Sequence, residues 1–234
     1  MKIKNLSFSY KDTLIFNNFN LEIQNQTICS IVGPSGCGKT TLLKLISNLE
    51  VPISGKILKD ENEKGNVSYL FQEPRLLRSQ TTFRNLDVVL SNSIPNKKER
   101  RDVVFYYLER VGLLEHRDKY PLQLSGGMRQ RAAIARAFAY PSHLILMDEP
   151  MQGLDIKSKY DVLELFKEMW NNDPRTTLFV THDLRDALTM GDKVVCLGNP
   201  NRPTLVLDIK DEKPLGDESL GHYENQILHS ILNK

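Results

Sequence analysis

The sequence predicts an α/β fold with a mixed, mainly parallel sheet, and three observations predict it. A β-branched run, TICSIV at 27–32, ends in glycine and is followed by Leu42, Leu43, Ile46 and Leu49 at helical spacing. After about residue 135, strand and helix patterns alternate: LILMD at 144–148, a helix over 156–170, TLFVTHD at 177–183, a short helix, then KVVCL at 193–197. Alternation of this kind stacks parallel strands between helices. Between these two stretches, strand patterns vanish from about 73 to 135, which reads as an inserted helical subdomain.

The remaining elements follow in order. Ile3, Leu6 and Phe8, then Leu14, Phe16, Phe19, Leu21 and Ile23, roughly alternate with polar neighbours and predict an N-terminal antiparallel β-region. VPISGKI and DENEKGN are turn-rich, and VSYLFQ at 67–72 is strand-like. In the insertion Val103, Val104, Tyr107, Leu108 and Val111 share a helical face, preceded by NKKERR, which reads as a solvated helix start. A second helix is expected after Gly126 and Gly127. The stretch from 204 to 234 reads as a strand and an amphipathic helix carrying Leu220, Tyr223, Ile227 and Ile231. The expected organisation is one main domain over 1–200, with its helical subdomain at about 73–135, and a tail over 201–234 packing on the core.

Composition narrows the function classes. A chain of 234 residues, 40% hydrophobic and 26% charged, can bury a core without disulfides or structural metal. A formal net charge of +2 gives no case for a general nucleic-acid surface. Cys29, Cys37 and Cys196 are too few and scattered for a disulfide framework, which suits a reducing compartment, and Cys37 reads as small filler. The opening MKIKNLSFSY has no apolar core of signal-peptide type, and no run approaches the ~20 apolar residues of a membrane span.

The chemistry concentrates in IVGPSGCGKTTLLKLI at 31–46. Gly33 to Thr40 satisfies G-x-x-x-x-G-K-[ST] between a strand and a helix, the context in which backbone N–H groups and a helix N-terminus cradle phosphate. Gly33, Pro34, Ser35, Gly36, Cys37, Gly38, Lys39, Thr40 and Thr41 are the expected phosphate-binding set. Lys39 is expected to reach the β- and γ-phosphates and the Thr40 hydroxyl to ligate Mg²⁺. A second magnesium contact is expected from Asp148, at the C-terminal end of a buried strand where ligand crevices of open α/β sheets lie. Glu149, next in sequence, is placed to polarise a water attacking the γ-phosphate.

Taken together, GPSGCGKTT, FQEPRLL, LSGGMRQRAAIARA, LMDEP, GLD and THD resemble, in order and spacing, the ATP-binding-cassette (ABC) ATPases over about residues 1–200. FQEPRLL and GGMRQR are most similar to the nitrate/sulfonate/taurine-type importer group. The resemblance implies a P-loop NTPase core, ATP with Mg²⁺ as ligands, and ATP hydrolysis coupled to transport. It implies that Gln72 reaches the metal and the attacking water, and that Ser125, Gly126 and Gly127 close on ATP held by a second subunit in a head-to-tail dimer. It also implies that His182 contacts the γ-phosphate and that Tyr10 stacks on adenine; a satisfied core histidine and a hairpin surface aromatic are the plainer alternatives. Asp155 in GLD matches a loop communicating across the dimer, and equally suits the N-cap of a helix starting at Ile156.

The chain departs from the family pattern at Asn48, often glycine, at RSQTT, and at MQGLD. None of these removes a catalytic atom, but they leave the substrate subgroup open, because the family docks its membrane subunit around 73–90. The expected function is the ATPase subunit of an ABC importer on the cytoplasmic face of the membrane. Its expected partners are permease subunits, indirectly a substrate-binding protein, and a second ATPase subunit read as another copy of this chain. A soluble ABC ATPase outside transport and a catalytically silent regulatory subunit are the alternatives. Intact Glu149 and His182 argue against the latter.

Overall fold

A computed structural model of the protein describes residues 1–59, 66–198 and 203–232. The turn-rich stretch at 60–65 and the expected domain boundary near residue 200 lie outside the described residues. The chain divides into two compact units, one of residues 1–65, 146–149 and 175–234, the other of residues 66–145 and 150–174.

The first unit opens with the antiparallel strands β1 (Lys2–Tyr10) and β2 (Thr13–Glu22), with β4 (Ser54–Leu58) on the other side of β1. Strict alternation would not bury both Ile3 and Leu6, or both Phe16 and Phe19, since each pair is three residues apart. Asn5 and Asn18, at φ 50° and 52°, supply the irregularity that brings each pair back to the buried face.

The larger sheet of this unit is centred on β3 (Ile28–Val32), which pairs in parallel with both β7 (Thr176–Val180) and β8 (Lys193–Leu197). Every residue of β3 and β7 is buried, as expected for parallel strands covered on both faces. The last strand, β9 (Pro203–Asp208), runs antiparallel to β8 and makes the sheet mixed. The strand β6 (Leu144–Asp148) contributes its end to this unit.

Helix α1 (Lys39–Ile46) follows β3, and α6 (Leu184–Met190) connects β7 to β8. The tail helix α7 (Asp217–Leu232) buries Ile227 against Val32, Ala187, Leu188, Val194 and Cys196, with Leu220, Tyr223 and Ile231 packed around it.

The second unit holds β5 (Val67–Leu70), α2 (Thr82–Leu90), α3 (Lys97–Arg110), α4 (Gly126–Ala139) and α5 (Ile156–Asn172). The predicted face of α3 buries Val104 and Leu108, with Val111 just past the helix, but the basic run before it is not wholly solvated. Asn96 caps the helix, whereas Arg100 turns inward to Asp87 at 2.5 Å, a carboxylate that also takes Arg84 at 2.6 Å. The RSQTT stretch is organised by the fully buried Asn85, whose amide donates to the carbonyls of Leu77, Gln80 and Thr81 and accepts from the Leu77 N–H.

Two expected boundaries move. Strand β5 stops at Leu70, so Gln72 sits in the bend beyond it rather than at the strand end. Gly126 and Gly127 do not precede α4 but form its first turn, with Ser125 as the N-cap. No described helix is long and apolar enough to cross a membrane.

Candidate active site

The loop between β3 and α1 is shaped by glycines that no other residue can replace without movement. Gly33 has φ 153°, and a Cβ there would lie 2.4 Å from the Leu197 carbonyl oxygen. Gly38 has φ 99°, and a Cβ there would lie 2.8 Å from Ile15 and 2.9 Å from Phe16. Both therefore combine a positive φ with a neighbour that leaves no room for a Cβ. Gly38 is the N-cap of α1; no side chain caps that end and its first turn carries no acid. Such an end suits an anionic ligand, because its N–H groups and dipole are not satisfied by the chain's own carboxylates.

Lys39 is 8% exposed, and its Nζ donates to the carbonyls of Gly33 at 2.8 Å and Pro34 at 3.0 Å. The amine is thus folded over the loop itself. Ser35 and Gly36 are exposed, Thr41 is buried, and Cys37 is half-buried. Burial pushes the Cys37 thiol up, against a smaller downward pull from Lys39, while full burial pushes Cys29 up to about 12. Both are therefore neutral thiols near pH 7, which suits the filler reading of Cys37.

The Thr40 hydroxyl donates to Asp148 Oδ1 at 2.9 Å, from the first turn of α1 to the end of β6. A hydroxyl and a carboxylate, both hard oxygen donors, fit Mg²⁺, which takes one or two protein oxygens and shares the rest of its shell with substrate phosphates and water.

Glu149 follows in a left-handed conformation, φ 45°, with its N–H donating to the Val180 carbonyl at 2.9 Å. That conformation costs a non-glycine residue about 1–2 kcal/mol. Its carboxylate lies 3.0 Å from His182 Nδ1. The histidine is held between two anchored neighbours: the Thr181 N–H donates to the Ile31 carbonyl at 3.2 Å, and its hydroxyl accepts from the Asp183 N–H at 3.0 Å. Asp183 then caps α6 by accepting from the Asp186 N–H. Residues 33 positions apart in sequence thus meet at the ends of β6 and β7. Neither the pairing nor the backbone strain has a sequence signal beyond the acidic LMDEP and the THD motif themselves.

Tyr10 ends β1, half-exposed, with its ring edge-on to Phe8 at 4.8 Å and its hydroxyl donating to Glu50 Oε1 at 3.0 Å. Glu50 was not among the residues singled out from sequence. Lys39, Thr40, Asp148, Glu149, His182 and Tyr10 all belong to the first unit.

Gln72, Ser125, Gly126, Gly127 and Asp155 belong to the second. There the Gln72 side-chain amide donates to Gln152, a residue of the divergent MQGLD stretch. Gln72, Gly126, Gln130, Gln152 and Leu154 line a cavity of about 400 Å³. Ser125 accepts from the Met128 N–H at 3.2 Å. Asp155 caps α5, accepting from the Ser158 N–H at 3.0 Å and its hydroxyl at 2.6 Å, and these bonds hold its carboxyl below the usual range.

A glycine-shaped phosphate loop, a hydroxyl–carboxylate pair and a Glu–His pair at the ends of parallel strands define a nucleoside-triphosphate hydrolase cassette. Comparison with known proteins makes the class specific. Residues 16–152 match the family described as ABC transporter. The chain is 35% identical to an uncharacterised ABC transporter ATP-binding protein of Methanocaldococcus jannaschii, over 99% of this chain and 91% of that protein. It is 34% identical to an aliphatic sulfonates import ATP-binding protein of Rhodopseudomonas palustris, over 99% of this chain and 83% of that one. Among solved structures it resembles a dimeric ATP-binding cassette in a post-hydrolysis state with ADP and Pi, with TM-score 0.75 and 30% identity over 89% of this chain and 98% of the other. The chain belongs to the ABC transporter family and is an ATPase that works on ATP with Mg²⁺.

Proposed function

We propose that the chain is the ATP-hydrolysing subunit of an importer that drives uptake of a small solute, of the nitrate, sulfonate or taurine type, across the cytoplasmic membrane. The observation that supports it is the pairing of Glu149 with His182 beside the Thr40–Asp148 contact, in a chain that an aliphatic sulfonates import ATP-binding protein matches over nearly its whole length.

In this reading Lys39 and the loop amides hold the β- and γ-phosphates, and Tyr10 holds the adenine. Thr40 and Asp148 would supply protein oxygens to Mg²⁺, which would neutralise charge at the phosphates. Glu149 accepts a proton from the attacking water, and His182 orients Glu149 and contacts the γ-phosphate. The strained Glu149 backbone aims its carboxylate. Ser125, Gly126 and Gly127 grip the γ-phosphate of ATP held by a second copy, head to tail, and Asp155 communicates across that dimer. The pair docks on permease subunits at the cytoplasmic face, with a substrate-binding protein delivering the solute.

The test is purification of the tagged chain, wild type and Glu149→Gln, from detergent-solubilised native membranes. A multi-spanning permease is expected with both, and it raises the ATP turnover of the wild type. Glu149→Gln is expected to keep ATP binding and lose about 10²–10⁴-fold in turnover. Recovery only with ribosomes or DNA-repair proteins would refute the importer; unchanged turnover would refute the role of Glu149.

A further inference from the structure

The base-binding end of the site contains a residue that no motif singles out. Helix α1 does not simply stop after Ile46. Ser47 closes it, Asn48 turns left-handed at φ 59°, and the N–H groups of Leu49 and Glu50 both donate to the Lys44 carbonyl, at 2.8 and 3.2 Å. The positive φ suits asparagine, which tolerates this region better than most other side chains. The turn carries the Glu50 carboxylate to the Tyr10 hydroxyl, 3.0 Å away and 40 residues earlier in sequence.

Tyr10 is therefore held twice. Phe8 meets its ring at 90° from within β1, and Glu50 takes its hydroxyl from the far end of α1. A ring that is 38% exposed would otherwise sample several rotamers and lose that freedom on stacking against a base. The same eight-residue helix starts with Lys39 at the phosphates, so α1 spans ~12 Å between the phosphate loop and the turn that fixes the aromatic platform.

We propose that Glu50 is a positioning residue for the nucleotide base: its carboxylate holds the Tyr10 ring in the orientation that receives adenine and ties that ring to the helix carrying Lys39. The proposal rests on the reading of Tyr10 as the base platform. A carboxylate–phenol hydrogen bond acts on ATP through the ring alone, so its loss shows in substrate affinity and not in the chemical step.

The experiment measures KM and kcat for ATP on the full chain, together with competitive inhibition by inorganic tripolyphosphate, which presents phosphates without a base. Glu50→Ala is expected to raise KM for ATP by about 3–10-fold, with kcat and the tripolyphosphate inhibition constant unchanged. Glu50→Gln, whose amide oxygen still accepts from the phenol, recovers most of the loss. Tyr10→Phe matches Glu50→Ala, and the double variant adds nothing further. If Tyr10→Ala raises KM while Glu50→Ala does not, the base platform stands and the role of Glu50 falls. If tripolyphosphate inhibition weakens in step with ATP in Glu50→Ala, Glu50 acts on the phosphate loop and the proposal is overturned. If Tyr10→Ala leaves KM unchanged, the base platform beneath it is wrong.

Discussion

The two helix N-termini that we propose meet phosphate are built differently. At α1 the cap is Gly38, left-handed, with no side chain to offer, pressed against Ile15 and Phe16 and followed by a buried lysine. At α4 the cap is Ser125, in extended conformation, and its own hydroxyl already accepts the Met128 N–H. Its two glycines have ordinary helical backbone: a Cβ at Gly126 would make an ordinary contact with Leu154 at 3.5 Å, whereas one at Gly127 would crowd Ser158 at 3.3 Å. The first end has no side-chain cap of its own and is shaped by sterics. The second has one of its N–H groups, that of Met128, taken by its own serine. The contrast suits a division of labour in which α1 holds nucleotide within a subunit and α4 closes on nucleotide brought by another.

The largest expected effect is at the first end. Lys39→Ala removes a charged donor set over the loop and is expected to weaken ATP binding by about 10–100-fold, read by equilibrium titration. Unchanged affinity would mean the loop does not hold phosphate.

The glycines sharpen the comparison. Gly38→Ala meets both a positive φ and a clash, and is expected to destabilise the fold by about 3 kcal/mol in urea unfolding. Gly126→Ala, in a helical first turn, is expected to be neutral or stabilising by up to about 1 kcal/mol while lowering turnover. Equal stability losses at the two positions would erase the distinction.

The serine cap tests the second end on its own. Ser125→Ala should cost about 1 kcal/mol of stability and leave ATP binding by an isolated subunit intact. A fall in isolated-subunit binding would place Ser125 at its own nucleotide rather than a partner's.

Much of the architecture was legible in advance because parallel strands buried on both faces are unbroken apolar runs, as LILM and VVCL are, and because a phosphate loop declares itself by glycine spacing. The bulges at Asn5 and Asn18 were not legible, since polar residues in a strand carry no sign of which one turns left-handed. The inward turn of Arg100 was hidden in a run of like charges. Its partner Asp87 lies thirteen residues earlier, and only the packing of α2 beside α3 brings them together.

By itself, then, the sequence determined the chemistry available: the phosphate loop, the hydroxyl and carboxylate oxygens for magnesium, the candidate base and the histidine, each set by residue type at fixed local spacing. Tertiary structure alone decided how those groups are aimed. The left-handed backbone of Glu149, its 3.0 Å approach to His182 and the grip of Glu50 on Tyr10 all depend on contacts between segments far apart in the chain. Local propensity opposes the first of these and is silent on the others. Such arrangements persist because the surrounding strands and helix over-determine them, and that constraint exists only once the sheet has assembled.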